Sequence, residues 1–176
     1  MCTANICRSP MAAALLSDRL GHVAELVPVA SAGLLRGGSP ADPDAVAVLA
    51  RRGLDIAGHT SAQLTPAMVE EANLVLGMER RHVREAAVLV PGALDRSFTL
   101  PELVRRGEDY GPRRRGQSLA EWLAEVSAGR SASDLFGTPS DDVADPIGMG
   151  RRHFERLADE LTGLAESLAS LVEPVG

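Results

Sequence analysis

Residues 1–10 read MCTANICRSP, and the chain continues as MAAALLSDRL over residues 11–20. Five residues separate Cys2 from Arg8, and Ser9-Pro10 open the helix-like run that follows. Proline suits a helix start: its missing N–H is one that the first turn leaves unpaired anyway, and its φ is already helical. A short loop leading into a helix N-terminus can aim successive backbone N–H groups at one point, which is how an anion site is built. Arg8 adds the bidentate, charge-assisted donor that suits phosphate. The stretch therefore predicts a phosphate-binding loop formed by Thr3, Ala4, Asn5, Ile6, Cys7 and Arg8, with Cys2 at its base. The same field stabilises a thiolate, since helix N-termini and nearby cations lower a cysteine pKa from ~8.5 to ~3.5–7.5. A thiolate beneath a bound phosphate is placed for in-line attack. Ser9 can donate to that sulfur and help it leave again. Asn5 is one of only two asparagines, and its tolerance of left-handed backbone suits the sharpest point of the loop.

Composition removes several alternatives. The chain has no lysine, all 18 basic residues being arginine, so the loop is not the GxxxxGK[ST] nucleotide type, which needs that lysine. Net charge is −6, giving the molecule no electrostatic reason to bind nucleic acid or an anionic membrane. No stretch reaches the ~18 apolar residues of a membrane helix. No signal peptide precedes the first motif, and two cysteines in 176 residues argue against a secreted disulfide framework. The expected compartment is a reducing cytoplasm. Two cysteines and four scattered histidines fit no usual ligand spacing, so no metal is expected.

At 176 residues the chain is expected to form one domain. Short apolar runs alternate with amphipathic segments. Helices are predicted at 9–20, from Asp42-Pro43 to Ala50 with Gly53 as the stop, from Thr65-Pro66 through MVEEA, at Glu79–Ala87 and over roughly Met149–Val172. In the last, Phe154, Leu157, Leu161, Leu164, Leu168 and Leu171 recur at three- and four-residue spacing, the mark of a long amphipathic helix. Strands are predicted at Leu26–Ala30, Asn73–Met78 and Arg96–Leu100. Strands alternating with helices predict an α/β fold with a parallel sheet covered on both faces. Residues at about 105–131 interrupt the pattern with RRGEDYGPRRRG and a short helical stretch around Trp122. They read as an elaboration of the same domain carrying a mobile arginine-rich loop. Its Arg105, Arg106 and Arg113–Arg115 either recruit an acidic partner or form a solvated loop balanced by Glu108 and Asp109.

The loop resembles that of the low-molecular-weight protein tyrosine phosphatase family, whose signature is CxGNxCRSP where this chain has CTANICRSP. Four further segments are similar in the same order. Ser31–Gly33 (SAG) looks like the family's segment after its second strand, and Pro40–His59 like the helix and loop that follow. Leu74–Met78 (LVLGM) looks like its third strand, and Asp145-Pro146 in DVADPIG like its general-acid loop. The resemblance implies a three-layer α/β/α fold with a small central parallel sheet, and a phosphatase working through a phosphocysteine without any cofactor. It implies catalytic roles for Cys2, Arg8 and Asp145, and a hydrogen-bond network in which Asn5, Ser31 and His59 brace the loop. Taken singly, Asp141, Asp142 and Asp145 are loop carboxylates and His59 a helix-flanking histidine. Asp145 has a purpose in such a site, because a positioned acid that protonates the leaving oxygen is worth ~10²–10⁴ in rate. Cys7 has two readings: a small buried residue, or a partner for a reversible disulfide with Cys2 that would protect the nucleophile.

The substrate implied is a phosphorylated protein, phosphotyrosine first, or a small phosphate ester. Several positions depart from the family. Ala4 stands where it has glycine, Ile147 and Gly148 follow Asp145-Pro146 where aromatics are usual, and Leu34–Ser39 (LLRGGS) lacks an aromatic wall. A phenolic ring would lose stacking of ~0.5–1.5 kcal/mol per contact. Ile6 replaces the threonine of the family's protein arginine phosphatases, which points away from phosphoarginine. Arsenate reductase on the same fold is the alternative. Its thioredoxin-coupled form needs later cysteines, which are lacking after Cys7, so only a small-molecule-thiol version fits. A non-catalytic phosphate-binding relative is the other alternative. In the family a strand runs directly into the nucleophile, between the strands matching 26–31 and 73–78, yet only Met1 precedes Cys2. The first central strand is therefore expected to be missing and the true start to lie upstream. The 176-residue form is then expected to be poorly stable and weakly active, since each unpaired buried backbone group costs on the order of 1–3 kcal/mol.

Overall fold

The computed structural model describes residues 1–20, 28–130 and 141–175. They fall into two compact units, Met1–Leu64 with Val143–Glu166, and Thr65–Asp142 with Ser167–Gly176.

The first unit holds helix α1 (Arg8–Arg19), helix α2 (Pro43–Ala50) and most of the final helix, which is α7 (Arg151–Val172) in chain order. Helix α1 begins one residue earlier than the sequence predicts. Cys7 occupies the N-cap position without a side-chain cap, so Arg8 is already helical and Pro10 sits inside the first turn, where its lack of an N–H costs nothing. Helix α2 starts as its sequence demands: the Asp42 carboxylate accepts from Asp44 N at 2.8 Å, with Pro43 at the first position. Val48 and Leu49 of α2, Met11, Leu15 and Leu16 of α1, and Phe154, Leu157 and Leu161 of α7 are buried. Ion pairs fasten α7 on its flank, from Arg51 to Glu155, Arg52 to Asp159 and Arg151 to Asp44. The strand predicted at 26–30 is corrected over its described part: residues 28–32 form no ladder, Pro28 having no N–H to give one. Residues 26 and 27 lie outside the described residues. Among the described residues, pairing on this stretch comes at Gly33, which bridges in parallel to Cys2 on one side and Gln63 on the other.

The second unit is a helix-covered parallel strand pair. Helix α3 (Pro66–Glu71) is capped by Thr65 and leads to β1 (Val75–Gly77). Helix α4 (Arg80–Leu89) and a 3₁₀ turn (Pro91–Arg96) carry the chain back to β2 (Ser97–Thr99). The strands pair in register Val75 with Ser97, Leu76 with Phe98 and Gly77 with Thr99. A capping box between Thr99 and Glu102 then starts α5 (Leu100–Tyr110), and Ser118 with Glu121 starts α6 (Leu119–Val126). Two expectations change here. Arg105 and Arg106 stand on α5 rather than in a loop. Arg105 pairs with Asp141, Arg106 with Glu102 and Arg114 with Glu125. The Arg113–Arg115 stretch is bonded through its backbone to the chain end, Arg113 N to Leu171 O and Arg115 N to Val175 O. The protein is thus of the α/β class with a small parallel sheet. No helix among the described residues is long and apolar enough to cross a membrane.

Candidate active site

Every residue singled out in the opening motif lies in the first unit, together with Ser31, His59 and Asp145. The loop from Cys2 to Arg8 is shaped by where its carbonyls go. Thr3 O accepts from Leu34 N at 2.7 Å and Leu35 N at 3.0 Å, Asn5 O is bonded by His59 Nε2 at 2.7 Å, and Ile6 O accepts from Asp42 N at 2.8 Å. In a planar trans peptide the C=O and the following N–H point in opposite directions. Tying these three carbonyls to the surrounding chain therefore turns the N–H groups of Ala4, Ile6 and Cys7 into the loop, the arrangement of an anion-binding nest. Because Asn5 O can only accept, His59 carries its proton on Nε2.

Asn5 is fully buried and sits at φ 55°, the left-handed backbone that its sequence position suggested. Its amide orientation is set by Ala62 N, which donates to Oδ1 at 2.9 Å. The two Nδ2 protons then go to Ser9 Oγ at 2.9 Å and Ser31 Oγ at 2.8 Å, so every polar group of the side chain is satisfied. Ser9 Oγ, receiving from Asn5, keeps its own proton for the Cys2 sulfur 3.0 Å away. Asn5 N donates to the same sulfur at 3.3 Å. Cys2 is thus a buried thiol with two aligned donors, at the mouth of α1.

Arg8, only 2% exposed, reaches Val143 O through Nη1 at 3.0 Å and Asp145 Oδ2 through Nη2 at 2.6 Å. Asp145 is 43% exposed along its side chain, and its other oxygen accepts from Ile147 N at 3.2 Å. Pro146 behind it is buried, while Leu35, Ile147 and Met149 are exposed apolar residues on the segments that meet Thr3 and follow Asp145. Cys7 is buried and both cysteines are free thiols. Burial, with the Asp145 carboxylate and Cys2 beside it, pushes the Cys7 thiol far up from its ordinary range. Among the described residues no group of three or more His, Cys, Asp or Glu is arranged to hold a metal ion.

The structure brings Cys2, Asn5, Ser9, Ser31 and His59 into one hydrogen-bonded cluster and joins Arg8, on the same loop, to Asp145. Sequence reasoning missed three members. Ala62 N and Val143 O are main-chain groups that no side-chain pattern reveals. Gly33 was read only as part of SAG; a Cβ there would lie 2.8 Å from Asn5 N, 2.8 Å from Thr3 O and 2.9 Å from Ala4 C. A glycine next to the apolar pair Leu34-Leu35 was the available signal.

The profile described as "Low molecular weight phosphotyrosine protein phosphatase" matches residues 1–110. The probable low molecular weight protein-tyrosine-phosphatase EpsP of Ralstonia solanacearum is 38% identical over 133 residues, 75% of this chain and 89% of that one. The protein-arginine-phosphatase of Geobacillus stearothermophilus is 34% identical over 148 residues, 84% of this chain and 93% of that one. A solved low molecular weight protein tyrosine phosphatase from T. tengcongensis superposes with a TM-score of 0.70 at 30% identity, covering 95% of this chain and 92% of that one. The chain belongs to the low molecular weight phosphotyrosine protein phosphatase family and is a phosphatase.

Proposed function

We propose that the protein hydrolyses phosphate monoesters through a phosphocysteine on Cys2, with phosphotyrosine in protein as the principal substrate. The observation that carries the reading is the Cys2 sulfur held by Asn5 N and Ser9 Oγ at the start of α1, whose first residue, Arg8, is bonded to the carboxylate of Asp145. A phosphate dianion entering the loop meets the inward N–H groups of Ala4, Ile6 and Cys7, and takes Arg8 as a bidentate partner. The sulfur attacks phosphorus in line, forming the S–P bond as the P–O bond to the leaving group breaks. Asp145, released from Arg8, takes up a proton from solvent and gives it to the departing oxygen. Asp145 then takes a proton from water, which attacks phosphorus. The S–P bond breaks, inorganic phosphate leaves, and the Ser9 hydroxyl supports the returning thiolate.

Phosphotyrosine is favoured by similarity to the Ralstonia relative, whose name specifies a protein-tyrosine-phosphatase. A second reading, phosphoarginine, is favoured by the 34% identity with the protein-arginine-phosphatase. The exposed Leu35 and Ile147 offer aliphatic contact to either. Two free thiols support a reducing, cytoplasmic setting, and the phosphorylated protein or small ester is the only partner the reading needs.

The test is hydrolysis of p-nitrophenyl phosphate. Turnover should vanish in Cys2→Ser and fall ~10²–10⁴-fold in Asp145→Asn, most for substrates with poor leaving groups. A panel of phosphotyrosyl and phosphoarginyl peptides then separates the two substrates. No turnover with any ester, together with thiol-dependent reduction of arsenate, would sink the reading.

A further inference from the structure

We propose that Gly33 is a positioning residue for the Cys2 sulfur, setting the distance between Asn5 N and the thiol; the inference rests on Cys2 being the nucleophile. Gly33 is not glycine for the sake of its backbone angle, since it is absent from the positive-φ glycines of the described chain. It is glycine for space. A Cβ at this position would come within 2.8–2.9 Å of Asn5 N, Thr3 O and Ala4 C. All three are main-chain atoms of the loop, so no flexible side chain can yield.

Neither side is free to retreat. Gly33 N donates to Ala62 O at 2.8 Å, Leu64 N donates to Gly33 O at 2.7 Å, and Leu34 N is bonded to Thr3 O at 2.7 Å. On the loop side, Asn5 is tied through its carbonyl to His59 and through its side chain to Ser9, Ser31 and Ala62. Asn5 N is both the atom that a Cβ would strike and the atom that donates to the Cys2 sulfur at 3.3 Å. With Asn5 anchored on its other sides, relief of the contact comes by tilting the Ala4–Asn5 peptide, and that takes the N–H off the sulfur. Arg8 and the N-terminus of α1 lie outside this contact, so phosphate binding is left largely in place.

The experiment uses the full chain in three forms: unaltered, Gly33→Ala, and Gly33→Ala with Ala4→Gly. Four quantities are read: kcat and KM for p-nitrophenyl phosphate, inhibition by inorganic phosphate, the rate of Cys2 alkylation by iodoacetamide at mildly acidic pH, and the urea midpoint. Gly33→Ala should lower kcat and the alkylation rate roughly 10- to 100-fold, the range for losing one hydrogen bond to a charged group. KM and the phosphate inhibition constant should stay within about threefold, since the lost interaction is not one that binds the ground state. Ala4→Gly should restore part of both rates, because glycine lets the loop backbone take up the displacement. A residue that only holds the fold would move the urea midpoint without separating kcat from KM.

A folded Gly33→Ala chain with unchanged kcat and alkylation overturns the proposal, and so does a parallel rise of KM and the inhibition constant that Ala4→Gly leaves untouched. If the single variant does not fold, the double variant decides: it should fold and turn over slowly. Failure of both to fold also overturns it, because Gly33 would then determine the fold rather than the loop. The nucleophile assignment fails separately, if the Cys2→Ser chain turns substrate over as the unaltered chain does.

Discussion

Asn5 and Cys7 sit two residues apart, both buried, and do opposite things with their polar atoms. Asn5 spends each of its groups on a named partner. Its left-handed φ is then held by bonds rather than tolerated by chance. Cys7 caps α1 without a side-chain bond, and burial, Asp145 and Cys2 all disfavour its thiolate. That shift carries a sign. The folded state binds the Cys7 proton more tightly than the unfolded chain, whose cysteines titrate near ~8.5. Its contribution is therefore complete at neutral pH and is lost progressively as pH rises past that range. The urea midpoint should decline above about pH 8.5 and the decline should flatten in Cys7→Ala. An unaltered slope in that variant would assign the alkaline loss elsewhere.

At the scale of elements, what could be read from sequence was what neighbours decide locally. Asp42-Pro43 and Thr65-Pro66 announce α2 and α3, because cap and first-turn proline are both within a few residues of the helix they start. The spacing of Phe154, Leu157, Leu161 and Leu168 announces α7 for the same reason. The second half of helix α5, Arg105 onward with Gly107 in it, was assigned to an arginine-rich loop, although the Thr99–Glu102 capping box was there to be found. The glycine is explained only by distant residues: a Cβ on it would meet Leu171 Cδ1 at 2.8 Å and the Trp122 ring at 3.1 Å. The strand expected at 26–30 failed in its described part for the converse reason: residues 28–30 are locally apolar, and among the described residues the bridges on this stretch come at Gly33. The loop's geometry, with Asn5 at its left-handed point and Ser9 on the Cys2 sulfur, was legible from ten residues, whereas the main-chain groups of Ala62 and Val143 bonded to it were not.

Glu102 shows what that capping box also supports. Nearly buried, it accepts from Arg130 Nε at 2.8 Å and Nη2 at 3.1 Å, and pairs with Arg106 at 3.4 Å, while the Arg130 guanidinium lies 4.3 Å from the Phe98 ring centroid. Removing Arg130 leaves Glu102 with Arg106 as its cation and costs its two short charged bonds, so Arg130→Ala should lose about 1.5–3 kcal/mol in urea unfolding. A loss below about 1 kcal/mol, the worth of an exposed pair, would mean that Arg106 and water replace Arg130.

Over the whole molecule, charge is plentiful and mostly superficial: 24 acidic and 18 basic residues for a net −6. The pairs along α7 (Arg19 with Glu166, Arg51 with Glu155, Arg151 with Asp44) each have at least one partner well exposed. Exposed pairs contribute ~0–1 kcal/mol each, and raising salt from 0.1 M to 1 M shortens the screening length from ~10 Å to ~3 Å. Part of what screening removes is repulsion within a net-negative surface. The stability at 1 M sodium chloride should therefore lie within about 1 kcal/mol of that at 0.1 M, as read from urea midpoints. A larger fall would show that these pairs act as a network.

The Arg8–Asp145 contact has a consequence for affinity. On the proposed site, the carboxylate tethered beside the guanidinium is an internal anion that an incoming phosphate has to displace. The apparent dissociation constant for phosphate is then the intrinsic one divided by the fraction of molecules in which the tether is open. Asp145→Asn removes the internal rival. It should bind inorganic phosphate several-fold to roughly tenfold more tightly by calorimetry, even as it turns substrate over far more slowly. On the proposed roles, the protein would hold its product loosely, its own carboxylate reclaiming the arginine, and release of phosphate would be a step driven from within.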